Sequence, residues 1–405
     1  MTNTNSLENI IKAEGMLVSS DLHGNYNLIE SGLRYAQKNN LAYVLNGDVV
    51  NDYRFLGLAK EIGIQSPSEI QEDYLSKNLS RKDYEALKLN QSASVYGIEG
   101  ILSQVPEGQR AEFEKNLKSA LDYSNTELFQ KRIKGVVENM IADKGEEISQ
   151  NGFKLRALYQ VFMDEEARKF ADELNKYSDV KVLFNKGNHE NRFFVEQVRQ
   201  YLNKKEQILD VAEYDGVYEI VQGTGDRMKV LGMTNCRQLM PYLNEIFAPE
   251  ELEQLYGHVG IEKKYDGKGL DVLLSHGQIG KPMGLKNPIN VPYLDSAKKL
   301  SLEAKLTVEG HIHNKYDGKN EFGRDMVRAA GDEAVVIRKK GDSLDKEWVR
   351  IGNDYNGGHS NPIYYSPDYY KMRMEQLIKE YEMMMQQQQS STNAGSEGNS
   401  TSRAA

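Results

Sequence analysis

The sequence predicts an α/β fold carrying an inserted run of helices, and three features predict it. Five short apolar runs each end in polar residues, amphipathic stretches of helical period flank them, and one long charged stretch of helical period interrupts the series. "GMLVSSD" (15 to 21) is the first apolar run and reads as a strand. After the loop "LHGNYN", the stretch "LIESGLRYAQKNN" spaces its apolar residues as a helix does. "LAYVLNGD" (41 to 48) repeats the unit. From roughly Tyr53 to Lys176 the chain turns charged, poor in proline and helical in period, so a helical insertion is set at about 55 to 175, its helices after about Phe153 partly returning to the core. "VKVLFNKGNHEN" (180 to 191) is the third strand, "LDVLLSHG" (270 to 277) the fourth and "AKLTVEGHIHN" (304 to 314) the fifth. Two hairpins, 217 to 235 around Gly-Thr-Gly-Asp and 333 to 352 around Lys-Gly-Asp, suggest a second sheet packed on the first. The expected organisation is a flexible N-terminus (1 to 14), a principal domain (15 to 365) containing the insertion, a C-terminal helix (366 to 385) and a disordered tail (386 to 405) rich in Gln, Ser, Gly and Asn.

Composition narrows the function classes. The chain has 405 residues, 39% apolar and 27% charged, which is ordinary for a soluble globular protein. Its 60 acidic against 51 basic residues leave a net charge of -9, so no global attraction draws it to nucleic acid or anionic membrane, although a local basic groove is not excluded. No run approaches the roughly 20 apolar residues of a membrane span, and the polar start "MTNTNSLENI" lacks the parts of a secretory signal. A cytoplasmic location is the expectation. The single cysteine, Cys236, rules out an intramolecular disulfide and a cysteine-based metal site, leaving His, Asp, Glu or Asn to hold any metal.

The strand ends carry the chemistry. Side by side they read "SSDLHGN", "NGDVVND", "KGNHENR", "LSHGQ" and "EGHIHN", and hold Asp21, His23, Asp48, Asn188, His189, His276, His311 and His313. Five of the seven histidines lie there. In open α/β sheets the loops at these ends converge on one edge, where ligands bind. Imidazole nitrogen and carboxylate oxygen suit Mn, Fe, Zn, Co or Ni, and a shared carboxylate bridges two ions about 3.5–4 Å apart. Asp48, alone after a glycine, fits a bridge, while Asp21 with His23 and His311 with His313 are alternate residues able to point the same way. Singly, each Asp or Asn reads equally as a turn or helix cap, and each histidine as a structural one. His258 and His359 stand outside every block and read as structural.

The order D-x-H, G-D, G-N-H-E, H and G-H-x-H, spread over residues 21 to 313, resembles the calcineurin-like metallophosphoesterase superfamily; the insertion and the tail lie outside the likeness. The resemblance implies a four-layer α-β-β-α sandwich with mixed sheets. It implies two divalent ions, manganese foremost, one held by Asp21, His23, Asp48 and His313 and the other by Asp48, Asn188, His276 and His311. It also implies His189 as the general acid and a metal-bridging hydroxide as the nucleophile. The implied activity is that of a phosphoesterase, a hydrolase acting on phosphate monoesters of a phosphoprotein or a small phosphorylated molecule.

The chain departs from the protein Ser/Thr phosphatases of that superfamily, which read G-D-x-V-D-R-G and R-G-N-H-E where this chain reads "GDVVNDYRF" and "KGNHENR". Asn51 replaces the acidic residue that orients the acid histidine, Asp52 replaces a phosphate-binding arginine and Lys186 the second. Substrate charge is therefore expected from Lys186 and Arg192, with Arg54 in reserve, and orientation of His189 from Asp52 or Glu190. The G-H-x-H ending also leans toward phosphodiesterase and nuclease branches. A third reading is a scaffold with a vestigial site, in which the helical insertion binds a protein partner.

Overall fold

The structure is a computed structural model, and it describes residues 9–51, 53–103, 105–235, 242–265, 269–279, 293–352 and 366–396. His359, Asp52 and Cys236 lie outside these residues. Packing divides the chain into two compact units, one of residues 1–58 with 158–405 and one of residues 59–157.

The larger unit contains thirteen strands among the described residues: β1 Ile10–Lys12, β2 Met16–Ser19, β3 Ala42–Asn46, β4 Val182–Asn185, β5 Ile208–Asp210, β6 Tyr218–Val221, β7 Arg227–Thr234, β8 Val272–His276, β9 Leu306–Glu309, β10 Tyr316–Lys319, β11 Asp325–Arg328, β12 Glu333–Lys340 and β13 Ser343–Arg350. They form two mixed sheets, ordered β1-β6-β7-β8-β9-β11-β10 and β13-β12-β2-β3-β4-β5. All five strands read from the sequence are present, with β2, β3 and β4 parallel neighbours in one sheet and β8 and β9 in the other. Both expected hairpins form, β6 with β7 and β12 with β13.

Side-chain alternation explains why the sheets stack. Met16 and Val18, Ala42 and Val44, Leu183, and Val335 and Ile337 point from one sheet into a core they share with Ile220, Val230, Val272, Leu274 and Val308 of the other. Each Val, Leu, Ile or Met among them, fully buried, stabilises the fold by about 1.5–3 kcal/mol. The opposite faces take helices. The helix Tyr26–Lys38 buries Ile29, Leu33 and Ala36 and packs on β2 and β3, and the helix Asp295–Glu303 sets Ala297 and Leu300 in a second core with Leu231, Met233 and Leu273. The result is helix, sheet, sheet, helix.

The N-terminal segment is not wholly flexible as expected: Ile10–Lys12 is β1, pairing in parallel with β6 and burying Ile11 in the core between the sheets. The C-terminal helix runs Pro367–Ser396, past the expected end at 385 and into the stretch read as disordered, with Tyr370 and Met374 as its buried anchors. The smaller unit is helical throughout. Its helix Pro67–Asn78 starts with a capping box between Ser66 and Glu69, and Gly97, at φ 68, kinks Arg81–Ser103. Its span is narrower than the 55 to 175 read from the sequence, because Leu158, Phe162, Phe170 and Leu174 of the long helix Glu127–Lys176 are buried in the larger unit. No helix among the described residues is long and apolar enough to cross a membrane.

Candidate metal centre

The five parallel strands deliver their C-terminal ends to one edge, and hydrogen bonds knit the loops that follow them. Asp21 N–H donates to the Gly47 carbonyl (3.1 Å), His23 N–H to that of Asp48 (2.8 Å) and Gly310 N–H to that of Ser275 (3.1 Å). Asn46, the last residue of β3, crosses between the sheets: its Nδ2 donates to Ser275 O at 3.1 Å, and Asn185 Nδ2 donates to its Oδ1 at 2.8 Å. His311 N–H reaches Asp21 Oδ1 at 2.9 Å, tying the ends of β9 and β2.

Backbone conformation aims the donors. Asp21, His23, Asp48 and His311 have φ of 57, 42, 54 and 67°, in the left-handed region that few residues other than glycine enter. Among the described residues only Asn40 shares that property without belonging to the cluster. Left-handed residues outside glycine gather at functional sites, where the surroundings hold them.

Two glycines make room. A Cβ on Gly187 would fall on the Asp48 carboxylate and within 2.9 Å of His276 Nε2, and one on Gly47, at φ 86°, would fall on the His276 ring. Gly187→Ala is accordingly expected to cost about 1–3 kcal/mol of stability through overpacking. Thermal melting of the two chains checks it.

The seven side chains read as metal ligands converge. Asp21, His23 and His313 form one group, Asp48, His276 and His311 a second, and His23, Asp48 and His189 a third, the donor atoms of each lying within 4.8 Å of one another. His23 Nε2 and His313 Nε2 stand 3.0 Å apart, and His313 Nε2 is 3.6 Å from Asp21 Oδ1. His276 Nε2 faces Asp48 Oδ2 at 3.1 Å and Asn188 Oδ1 at 3.2 Å, while His189 Nε2 is 3.6 Å from Asp48 Oδ2.

These atoms suit a cation. The His276 ring is completely buried and donates from Nδ1 to the Asn46 carbonyl (2.8 Å), so its Nε2, facing two oxygens, is satisfied only by a proton or a metal ion. Burial works against a charge there, yet Asp48, first by its charge and then by its hydrogen bond, pushes His276 up to about 9. Burial would raise Asp48 too, but His276 and then His189 hold it well below the usual carboxylate range. Asp21 goes the other way, raised mainly by burial, and its buried Oδ2 has no hydrogen-bond partner among the described residues. An orphaned, desolvated carboxylate oxygen beside imidazoles is what a bound cation relieves. Burial also brings His23 and His311 down to about 4, which leaves both neutral, the form that ligates.

The residues expected at the substrate have acidic partners of their own. Lys186 is fully buried, with Nζ on Arg192 O (2.7 Å), Asp210 Oδ2 (2.9 Å) and Glu213 Oε1 (3.3 Å). This corrects its reading as a substrate residue: a desolvated ammonium paired with two carboxylates is occupied as an internal support. Arg192 is about one-third exposed and its Nε is bonded to Glu213 Oε1 at 3.0 Å. Glu190, read as an orienter of His189, instead accepts four backbone N–H groups, from Asp48 (3.2 Å), Val49 (2.7 Å), Val50 (2.9 Å) and Gly187 (2.8 Å). It ties the loop after β3 to the loop after β4. Asp52, its alternative, lies outside the described residues.

Two supports escaped sequence reasoning. Arg328, buried in β11, joins Glu309 Oε2 (2.8 Å) to Asn314 Oδ1 (2.7 Å) and so ties the residue before "GHIHN" to its last residue. His258, read as structural, donates to the carbonyl of Gly187 within the G-N-H-E block (3.1 Å). Neither carries a local signal, because each acts on a segment distant in sequence.

No family model matches the sequence, and no curated protein matches it. Among solved structures, the chain is similar to the calcineurin-like phosphoesterase YfkN from Bacillus subtilis, with 11% identity and a TM-score of 0.34 over 91% of this chain and 98% of that one.

Proposed function

We propose that the chain is a metal-dependent phosphoesterase of the calcineurin-like kind, hydrolysing phosphate monoesters of a phosphoprotein or small phosphorylated molecule, with two divalent ions, manganese foremost. The observation that carries this reading is the pairing of a fully buried His276 Nε2, set against Asp48 and Asn188, with an orphaned Asp21 Oδ2 beside His23 and His313. Asp21, His23 and His313 would hold one ion, Asn188, His276 and His311 the other, and Asp48 would serve both. Bound there, divalent ions supply Lewis-acid polarisation of a phosphoryl oxygen and acidify water.

The chain's own groups do the rest. Asp48 sits in two of the three donor groups, so its two oxygens can face two partners. His189, its backbone N–H on Asp48 Oδ1 (3.3 Å), holds a ring proton at the edge of the centre for the departing oxygen to take. His313, whose side chain is 57% exposed, marks the side open to substrate. Asn46, Glu190 and Arg328 fix the loops, so the donors are in place before a ligand arrives.

The test is hydrolysis of p-nitrophenyl phosphate, bis(p-nitrophenyl) phosphate and a short oligonucleotide by the chain loaded with manganese. Monoester turnover with about two metal equivalents per chain is expected. Turnover of diesters alone would transfer the chain to the phosphodiesterase reading, and failure to take up metal, with no turnover, to the scaffold reading.

The "GHIHN" pair makes a sharper prediction, since His313 lies with Asp21 and His23 but His311 with Asp48 and His276. His313→Ala should weaken one of the two ions and His311→Ala the other, in calorimetric titrations. If both substitutions empty the same single site, the two-ion division is wrong.

A further inference from the structure

His258 lies outside every donor group, yet it is fully buried and its ring donates a hydrogen bond to the loop that presents Asn188 and His189. Its Nε2 is 3.1 Å from the Gly187 carbonyl oxygen. Because that oxygen only accepts, the imidazole must carry its hydrogen on Nε2; buried Nδ1 has no partner among the described residues. The ring is stacked on Tyr256, 6.2 Å between centroids and 28° between planes, at the end of the helix Pro249–Tyr256. The same segment accepts the Arg192 N–H at the Leu255 carbonyl, so the loop is gripped on both sides of Asn188 and His189.

We propose that His258 is a positioning residue for the metal centre, acting through the Gly187 carbonyl to set the peptide from which Asn188 and His189 project. The inference rests on the proposed metal centre and deepens it. Gly187 has no side chain to orient its own peptide, and its Cα presses on Asp48 and His276 with no space for one. Rotation about the Gly187 backbone would therefore be limited mainly by what the two peptides flanking it bond to. The N–H of the Lys186–Gly187 peptide is held by Glu190 at 2.8 Å and the carbonyl of the Gly187–Asn188 peptide by His258. Downstream, Asn188 Oδ1 meets His276 Nε2 at 3.2 Å and His189 N–H meets Asp48 Oδ1 at 3.3 Å, so a turn of this peptide would displace both at once. Burial, then the charge of Lys186, brings His258 down to about 3, which keeps the ring neutral and the tautomer single.

The experiment compares wild type, His258→Leu and His258→Gln for manganese binding by calorimetry and for phosphomonoester hydrolysis resolved into kcat and KM. Leucine keeps the bulk and removes the donor; glutamine restores an N–H at a similar reach. His258→Leu is expected to bind one of the two ions about 10- to 100-fold more weakly and to lose a similar factor in kcat with KM little changed, the effect typical of groups that orient a metal ligand. His258→Gln is expected to recover most of both. Unchanged binding and kcat in His258→Leu would overturn the role, as would a glutamine variant no better than leucine, since packing alone would then explain the residue. A wild-type chain that takes up no manganese would overturn the metal centre and this role together, whereas two ions in wild type with an unaffected leucine variant would overturn this role alone.

Discussion

Replacing His189 with alanine should lower kcat for an alkyl phosphate such as a phosphoserine peptide by about 10²- to 10⁴-fold while leaving the bound metal at its wild-type level. His189 is 3% exposed, packs edge-on against the His23 ring at 4.9 Å, and sits 3.6 Å from Asp48 through Nε2. The ligand set proposed for the two ions is complete without it. A residue that donates a proton to the leaving oxygen should matter less as that oxygen becomes a better leaving group, so the loss on p-nitrophenyl phosphate should be smaller. Elemental analysis and kcat for the two esters check both halves. Equal losses on the two esters, or loss of metal, would give His189 another role.

The second large effect is expected of Asp48→Asn. Asparagine is one of the few residues that accepts φ near 54°, so the loop conformation should survive and the loss should be chemical. The substitution removes the charge common to two donor groups and replaces one of the two ligating oxygens by an NH2 group that cannot ligate. Bound manganese should fall from about two equivalents to fewer than about one, and hydrolysis should disappear with it. In the metal-free chain the variant should also be less stable by about 1–3 kcal/mol, because His276 loses the carboxylate that compensates its burial. Retention of two ions would contradict the bridging position assigned to Asp48.

Much of the fold was legible because the signals were local. β2, β3, β4, β8 and β9 each spell an apolar run of strand length closed by a polar residue, and the donors of the centre stand at these ends or in the loops directly after them. β1 escaped because "IIK" is too short to show a period, and its place is set by pairing with β6, more than 200 residues away. The helix beyond Met385 escaped for the opposite reason: its composition is that of a disordered tail, and it continues a helix tied to the body upstream by the buried Tyr370 and Met374 and by the hydrogen bonds of Tyr369 to Glu165 and Tyr381 to Gln160.

The site divides the same way. Asp21, His23, Asp48, Asn188, His276, His311 and His313 announce themselves by type and position. Lys186 was misread by the same logic, since a lysine beside G-N-H-E resembles a phosphate ligand until Asp210 and Glu213 are seen around it. Glu190 and His258 grip backbone atoms, and which peptide a side chain grips depends on the tertiary path rather than on neighbouring letters.

The left-handed backbone at Asp21, His23, Asp48 and His311 sets evolution and engineering against each other. Each such residue costs of order 1–3 kcal/mol relative to a relaxed conformation, and glycine would remove most of that cost at His23 and His311, whereas at Asp21 and Asp48 it would also delete the carboxylate bonds to His311 N–H and to His276. The substitutions that would most readily raise the melting temperature are therefore the ones that delete a donor. A screen for thermostable variants carried out without metal should drift toward glycine at these two histidines and return inactive proteins, while the same screen in the presence of manganese should keep both if the proposed ions bind there, since only then would a ligand offset the strain.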